Sequence, residues 1–128
     1  MSENFVVEII SPDKTILKAN ANEVTIPSYE GQMGILKDHI PLITFLRPGI
    51  ISIKSQEEKN FFVEEGTVEF SNNNLLILTS SCKNLNDLDK KNIEEIIAET
   101  QKINNQNELS DKERYLLSHK IDSLKEIN

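Results

Sequence analysis

The sequence predicts an all-β N-terminal domain, residues 1–84, followed by a C-terminal α-helical hairpin, residues 85–128. In the first part the apolar residues recur with period two, as in the run ISIK at 51–54. Such alternation is typical of strands that are buried on one face. After residue 84 the apolar residues recur at i, i+3, i+4 and i+7, the period of one face of a helix.

The N-terminal domain consists of short strand candidates separated by turn residues. Ser-Pro-Asp at 11–13 and Ser-Asn-Asn-Asn at 71–74 are turns of this kind, because Pro restricts φ and the other side chains hydrogen-bond nearby backbone. Many short strands at this spacing favour a sandwich or a small barrel. The candidates are Phe5–Ile10, Thr15–Asn20, Glu23–Pro27, Gly34–Leu36, Leu42–Leu46, Gly49–Lys54, Asn60–Glu64, Thr67–Ser71 and Leu75–Thr79.

The C-terminal part predicts two amphipathic helices. The polar run at 104–107 ends the first, and Ser110 with Glu113 has the capping-box spacing that begins the second. Isolated helices of this length are only marginally stable in water, so each must bury its apolar stripe against the other, the sandwich or a partner. The stripes are Ile93, Ile96, Ile97, Thr100 and Ile103 in the first helix, and Leu117, Ile121 and Leu124 in the second.

Composition limits the partners and the compartment. The 128-residue chain has a formal net charge of −7, so we expect no nucleic-acid partner, which would require clustered Lys and Arg. The single Cys82 excludes an intrachain disulfide, indicates a reducing compartment and is interpreted as a buried structural thiol. No basic region precedes the first apolar residues, and no run approaches ~18 apolar residues, so we predict no signal peptide and no direct membrane insertion.

The stretch Glu30–Gly49 holds three of the four glycines and two of the four prolines of the chain. It does not match a phosphate-binding loop, because Asp38 follows the glycines where a helix N-terminus with Lys and Ser or Thr is needed. We interpret the first two glycines as turn or bulge residues. Prolines belong at strand starts or edges, and Pro48 with Gly49 predicts a turn. These features predict a loop of defined shape, suited to docking.

Neither histidine has the companions of a catalytic or metal site. Asp38 precedes His39, but no Ser or Cys nucleophile motif accompanies this pair. His119 lies on a polar face of the tail, and the sequence has no C-x-x-C or H-x-x-x-H spacing. We therefore predict no catalytic residue, no metal and no cofactor, and we interpret His39 as a structural or interface residue.

The same stretch resembles the signature of the epsilon subunit of F-type ATP synthases. The matching runs are EGQMGIL at 30–36, HIPLIT at 39–44 and RPG at 47–49. The similarity continues through FVEEGTVE at 62–69 and LIL at 76–78, and Leu88-Asp89 resembles the start of the first tail helix. It covers nearly the whole chain in order.

This resemblance implies a β-sandwich of about ten strands followed by a two-helix domain. It also implies a non-catalytic subunit of a proton-transporting ATP synthase, which lies with the gamma subunit in the central stalk and contacts the rotor ring of c subunits. In many bacteria the tail of this subunit inhibits ATP hydrolysis by extending toward the alpha and beta subunits. The implied location is peripheral, on the cytoplasmic face of the bacterial inner membrane.

The resemblance also implies roles for individual residues. The expected rotor-ring interface comprises Tyr29, Glu30, Gly31, Gln32, Met33 and His39. The expected loop-shaping residues are Gly34, Pro41, Pro48 and Gly49, so we expect Gly34→Val to distort the loop. In the tail, Arg114, Lys120 and Lys125 are candidates for contacts with the catalytic subunits. The alternative for these three cations is a solvated helix face.

Residues Leu88–Asn92 resemble the (I/L)-D-x-x-R motif that binds ATP in some bacterial members, with Asp89 as the possible nucleotide-binding residue. Here Asn92 replaces the Arg, which removes a permanent cation whose planar geometry matches a phosphate. We therefore expect no regulatory ATP binding.

Two rival functions follow from the residues alone. A freestanding β-barrel module with the hairpin as a dimerisation element would show a ligand-sized cavity and stable self-association. An enzyme built on His39 and Asp38 would need a nucleophile or a metal that the sequence does not supply.

Overall fold

The computed structural model describes residues 4–106 and 109–127, which form ten strands, one 3-10 helix and two α-helices. The predicted fold class is confirmed. The strands are β1 Phe5–Ile10, β2 Thr15–Ala21, β3 Glu23–Ser28, β4 Gly31–Leu36, β5 Leu42–Leu46, β6 Gly49–Lys54, β7 Glu58–Val63, β8 Gly66–Ser71, β9 Asn74–Leu78 and β10 Cys82–Asn84. The 3-10 helix is Leu85–Asp87, and the α-helices are α1 Lys90–Asn104 and α2 Asp111–Glu126.

Besides shifts of one or two residues at other strand ends, the structure differs from the sequence-based prediction at two strands. β4 begins at Gly31 rather than Gly34, because Gly31–Met33 continue to pair with β3. The two glycines supply no side chains to reveal the alternation, so the pattern hid the start of this strand. β10 was not predicted, since its three mostly polar residues pair only with the end of β7 and show no apolar period.

All ten strands belong to one curled sheet, with the order β10-β7-β6-β3-β5-β8-β9-β1-β2 and with β4 paired to β3 outside this path. Neighbouring strands are antiparallel except β1 and β9, which are parallel. β3 pairs with β6 at its start and meets β5 only at its end, where Ser28 lies opposite Leu46. The sheet turns at β3 and folds back over itself.

The fold-back encloses one hydrophobic core to which nine of the strands contribute. Alternate residues of each strand point into it, as the burial pattern of β1 shows. The buried members are Phe5, Val7, Ile9, Ala21, Val24, Ile26, Ile35, Leu46, Ile51, Ile53, Phe61, Val63, Val68, Phe70, Leu75 and Ile77. Leu17, Met33 and Cys82 are partly buried against this core.

A second, smaller cluster joins the tail to the outside of the sandwich. Phe61 and Val63 of β7 point into the main core, so Phe62 between them points outward. There Phe62 is buried together with Ile93 of α1 and Leu124 of α2. The partly buried residues around them are Leu85, Leu88, Ile96, Ile97 and Ile127.

The predicted helix ends are confirmed where they lie in the described residues. Ser110 Oγ accepts a hydrogen bond from Glu113 N (3.1 Å), and Glu113 Oε1 accepts one from Ser110 N (3.3 Å), which completes the capping box. The predicted break at 104–107 includes Asn107, which lies outside the described residues. None of the helices in the described part of the chain is long and apolar enough to cross a membrane.

Candidate docking surfaces

The predicted docking loop is a tight turn between β3 and β4, with Tyr29 and Glu30 at its tip. Gly31 has φ of 125°, a conformation that L side chains rarely adopt. Ser28 Oγ donates to Gly31 O (2.6 Å), and Tyr29 N donates to Phe45 O (3.1 Å), so the turn is tied both to itself and to β5. The side chains of Glu30 and Gln32 are exposed on this constrained backbone.

Two of the other residues expected in this interface, Met33 and His39, are directed toward the core or lie away from the turn. Met33 packs against the main core, because alternate residues of β4 point inward. His39 lies before the start of β5, whereas Tyr29 is tied to the end of β5, so the two occupy opposite ends of the sheet. The His39 ring contacts Phe70 edge to face, with 5.9 Å between ring centroids.

The four residues expected to shape the loop differ in their steric surroundings. Gly34 lies inside β4 opposite Thr25, and a Cβ there would meet nothing within 4 Å. No steric contact in the structure requires glycine at this position, so the loop-shaping role of Gly34 stays a prediction. A Cβ on Gly49 would overlap Pro27, with Pro27 Cγ only 2.8 Å away, so Gly49 is required for a close approach between β6 and β3. Pro41 and Pro48 directly precede β5 and the Gly49 start of β6, as expected.

An exposed apolar surface, absent from the sequence-based predictions, lies beside the turn. Its members are Ile43 (75% exposed), Phe45 (59%) and Leu78 (44%), which we call the apolar face. Phe45 pairs with Thr67 and Thr67 with Leu78, so these residues form one row across three strands. The signal was present in β5, whose sequence LITFL is apolar on both faces, although only one face points into the core.

A groove of about 730 Å³ extends the apolar face toward the Tyr29 turn. Phe45 and Leu78 form one side of it, and Ile10, Pro12 and Tyr29 are among the other lining residues. In the next row of the face, Glu69 lies between Ile43 and Leu76, so the surface combines large apolar side chains with a carboxylate.

Helix α2 docks beside the same turn through polar contacts. Arg47, between β5 and β6, places Nη1 3.2 Å from Tyr115 Oη and 3.3 Å from His119 Nε2. Tyr115 Oη in turn donates to Tyr29 O (3.3 Å), and its ring lies edge to face with the His119 ring at 4.4 Å. We call Arg47, Tyr115 and His119 the Arg47 junction. Ser123 Oγ adds a hydrogen bond to Pro48 O (3.2 Å).

Two of the three candidate tail cations are engaged within the chain. Lys120 Nζ forms an ion pair with Glu64 Oε1 at 2.6 Å. Arg114 donates to Asn104 O (2.9 Å) and Gln106 O (2.8 Å), which closes the hairpin. Lys125 is exposed on α2. In this conformation, Arg114 and Lys120 serve the tail rather than an outside surface.

The remaining polar candidates have local roles. Asp89 caps α1, because its Oδ1 accepts a hydrogen bond from Asn92 N (2.7 Å). Asp38 has φ of 66°, and its carboxylate accepts from Asn73 Nδ2 (3.0 Å), so it is oriented toward the β8–β9 turn rather than toward His39. Across the described ranges 4–106 and 109–127, no three His, Cys, Asp or Glu side chains are grouped as metal ligands.

Two ionisable side chains have shifted pKa values. Burial raises the pKa of the half-buried Cys82 thiol to about 11. The pKa of His119 is lowered, chiefly by burial and then by the charge of Arg47, while the charge of Asp122 acts in the opposite direction. Both shifts disfavour the charged form of the group.

Comparison with known proteins identifies the family of the strand-forming part of the chain and relatives of the whole chain. Residues 4–84 match the family described as ATP synthase, Delta/Epsilon chain, beta-sandwich domain. The chain is 48% identical to the ATP synthase epsilon chain of Pelagibacter ubique, with 100% of both chains covered. It is 33% identical to the chloroplastic ATP synthase epsilon chain of Gracilaria tenuistipitata, over 78% of this chain and 75% of that one.

Solved structures show the same fold at low sequence identity. A chain in the OSCP/F1/c-ring structure of the Euglena gracilis mitochondrial ATP synthase matches with a TM-score of 0.81 and 18% identity, over 98% of this chain and 82% of that one. A chain in the central stalk and c-ring structure of the Tetrahymena thermophila mitochondrial ATP synthase matches with a TM-score of 0.65 and 15% identity, over 94% and 93%.

Proposed function

Because this chain belongs to the ATP synthase delta/epsilon chain family, we propose that it is a non-catalytic central-stalk subunit that links gamma to the ring of c subunits. In that position it couples proton flow to ATP synthesis. The observation that carries the proposal is the pairing of a large exposed apolar face with a rigid polar turn on one end of the sandwich. The proposed location is peripheral, on the cytoplasmic face of a bacterial inner membrane.

The apolar face is the proposed gamma-binding surface. Ile43 and Phe45 expose most of their side chains, and contiguous apolar surface of this kind is typical of a protein interface. The groove next to Phe45 and Leu78 can take an apolar side chain of gamma, and Glu69 calls for a basic or hydrogen-bonding group opposite it. Since the groove is open and continuous with this face, we assign it to a protein partner rather than to a small ligand.

The Tyr29 turn is the proposed rotor-ring contact. Glu30 and Gln32 are exposed on a backbone that the Ser28 and Phe45 hydrogen bonds constrain. A rotor contact must transmit torque, and a turn held at both ends loses little conformational freedom on binding. We leave Met33 and His39 out of this contact, because one packs on the core and the other lies at the opposite end of the sheet.

The hairpin is the proposed regulatory element that reaches the alpha and beta subunits. To extend, it must release the Phe62 cluster, the Lys120–Glu64 ion pair and the Arg47 junction. Release exposes Lys120, which then joins Lys125 as a cation available to an acidic surface. Deleting residues 85–128 should therefore abolish inhibition of ATP hydrolysis and preserve assembly; loss of assembly would contradict a purely regulatory tail.

The gamma assignment is tested by pull-down of the tagged chain from its native membranes. The unaltered chain should recover gamma, alpha, beta and c subunits in stoichiometric amounts. Phe45→Glu should lose them, because it places a charge in a desolvated interface. Leu36→Glu is the matched control, since Leu36 is also exposed (54%) but lies outside the apolar face. Retention of gamma by folded Phe45→Glu, or recovery of the unaltered chain alone, would overturn the assignment.

The ring assignment needs a readout other than assembly. Glu30→Lys should leave gamma in the pull-down and reduce ATP-driven proton pumping at unchanged ATP hydrolysis. His39→Lys serves as the control at the far end of the sheet and should pump normally. Equal pumping by the Glu30 and His39 variants would remove the turn from the ring contact.

A further inference from the structure

The Arg47 junction requires a neutral histidine. An arginine guanidinium has donors and no acceptor, and it stays protonated at all pH values relevant to proteins. Arg47 Nη1 lies 3.3 Å from His119 Nε2, so this nitrogen must be the acceptor. A ring nitrogen accepts only when it carries no proton. Docking of α2 therefore selects the uncharged form of His119, with its proton on Nδ1.

The charges around His119 come from both elements that meet there. Arg47 faces it from the β5–β6 connection, and Gln32 of β4 lines the same cavity without adding charge. From α2 itself, Tyr115 stacks edge to face on the ring, and Asp122 and Glu126 line the cavity. Asp122 partly offsets Arg47, yet burial and Arg47 together keep the pKa of His119 below its ordinary value. The cavity, of about 440 Å³, is the space between α2 and the sandwich.

We propose that the Arg47 junction is a proton-controlled latch, in which protonation of His119 releases α2 from the sandwich. Protonation removes the acceptor of the Arg47 hydrogen bond and places two cations at the same contact. Tyr115 Oη lies between Arg47 and Tyr29 O, so displacement of Arg47 also weakens the link to the Tyr29 turn. The contacts left between α2 and the sandwich include Lys120–Glu64, Ser123–Pro48, the edge-to-face contact of the Tyr115 and Tyr29 rings, and the small Phe62 cluster.

The direction of the pH dependence follows from the two states. In the released tail, His119 is solvated and titrates near the ordinary histidine pKa of about 6.5. In the docked tail its pKa is lower, so the docked state binds fewer protons. The contribution of neutral His119 to docking is thus fully present above about pH 6.5 and is lost as the pH falls toward the lowered pKa. Because one proton is involved, the docking constant falls by at most about tenfold per pH unit.

The latch is a property of the chain alone, so the experiment uses the isolated full-length chain. In a Cys82→Ser background, Lys18→Cys on β2 and Lys125→Cys on α2 carry a donor and acceptor dye for energy transfer. Both lysines are exposed, and neither is part of the Arg47 junction. Energy transfer is recorded from pH 8 to pH 5, together with the circular dichroism of the sheet.

The expected result is a one-proton loss of energy transfer with a midpoint below about pH 6.5, at constant circular dichroism. His119→Gln, which keeps an acceptor and cannot titrate in this range, should stay docked throughout. His119→Lys should be released already at pH 8, and His39→Gln, which alters the other histidine, should behave like the parent chain. An unchanged transition in His119→Gln, no transition in the parent chain, or a transition that coincides with loss of the sheet signal would each overturn the latch.

Discussion

The sandwich and the tail of this chain are held by different kinds of contact. The sandwich buries sixteen apolar side chains in one core, to which residues far apart in sequence contribute. The tail buries Ile93, Ile121 and Leu124, and it is joined to the sandwich by a small cluster around Phe62, by hydrogen bonds and by one ion pair. A hydrogen bond contributes about 0.5–1.5 kcal/mol net, because water replaces it on release, whereas an exposed apolar side chain gains nothing from water. The sandwich is thus held together by one large core, whereas the tail is held to it by a small cluster and by polar contacts that water can replace.

The largest expected effect compares two side chains that are equally buried. Ile77 of the sandwich and Leu124 of the tail are each 0% exposed. Ile77→Ala should lower the free energy of unfolding of the whole chain by about 2–5 kcal/mol, since it leaves a cavity in the only large core of the described residues. Leu124→Ala should release the tail and leave the denaturation midpoint of the sheet unchanged. Urea denaturation followed by circular dichroism, with energy transfer for the tail, measures both; equal losses of sheet stability would show that the two regions unfold as one.

The second test uses Cys82, in the last strand of the sandwich. Its pKa of about 11 leaves far less thiolate at pH 8 than a solvated thiol has, so alkylation should be slowed by about ten- to a hundredfold. Leu124→Ala should not accelerate alkylation, because Cys82 packs against the sandwich core rather than the tail cluster. Alkylation timed by mass spectrometry measures this. A fast reaction in Leu124→Ala would show that β10 loosens together with the tail.

The third effect compares two glycines within the sandwich. Gly49→Ala should destabilise the chain by about 1–3 kcal/mol, because the new Cβ would overlap Pro27 and force β6 away from β3. Gly34→Ala should change stability by less than about 1 kcal/mol, since its Cβ meets open space. Thermal unfolding of both variants provides the measurement. A similar loss for Gly34→Ala would support the predicted loop-shaping role of Gly34.

The smallest effect belongs to the tail. Lys120 and Glu64 are partly exposed, with side-chain exposures of 20% and 38%, so their ion pair should contribute no more than about 1 kcal/mol to docking. A double-mutant cycle of Lys120→Ala and Glu64→Ala, read by energy transfer, isolates that contribution, which salt should reduce. A coupling energy well above this value would mean that the ion pair contributes strongly to holding α2 on the sandwich.

Local pattern predicted most of the elements. The nine strand candidates agree with the structure to within about two or three residues, and the capping box at Ser110 begins α2 as expected. These predictions succeeded because strand and helix periods follow from backbone geometry over a few neighbouring residues. The failures occurred where side chains gave no period, at Gly31–Met33 and in β10.

For the candidate docking surfaces, too, the sequence predicted the local features and did not predict those that depend on distant parts of the chain. The sequence predicted Glu30 and Gln32 as exposed residues on a turn of defined shape. The run LITFL also contains apolar residues on both faces of β5. It did not show that Met33 points inward or that His39 lies at the far end of the sheet, because each depends on the start of β4 and on the path of β5.

By itself the sequence determined the two-part architecture, the caps, the turn glycine at 31 and the family signature, since all of these are local in the chain. Only the tertiary structure decided which face of β5 remains exposed, that Gly49 rather than Gly34 is sterically required, and that Arg47 meets Tyr115 and His119. The physical reason is distance along the chain. Contacts between residues 68 and 72 positions apart depend on how the sheet curls and where α2 comes to lie on it, and no local period carries that information.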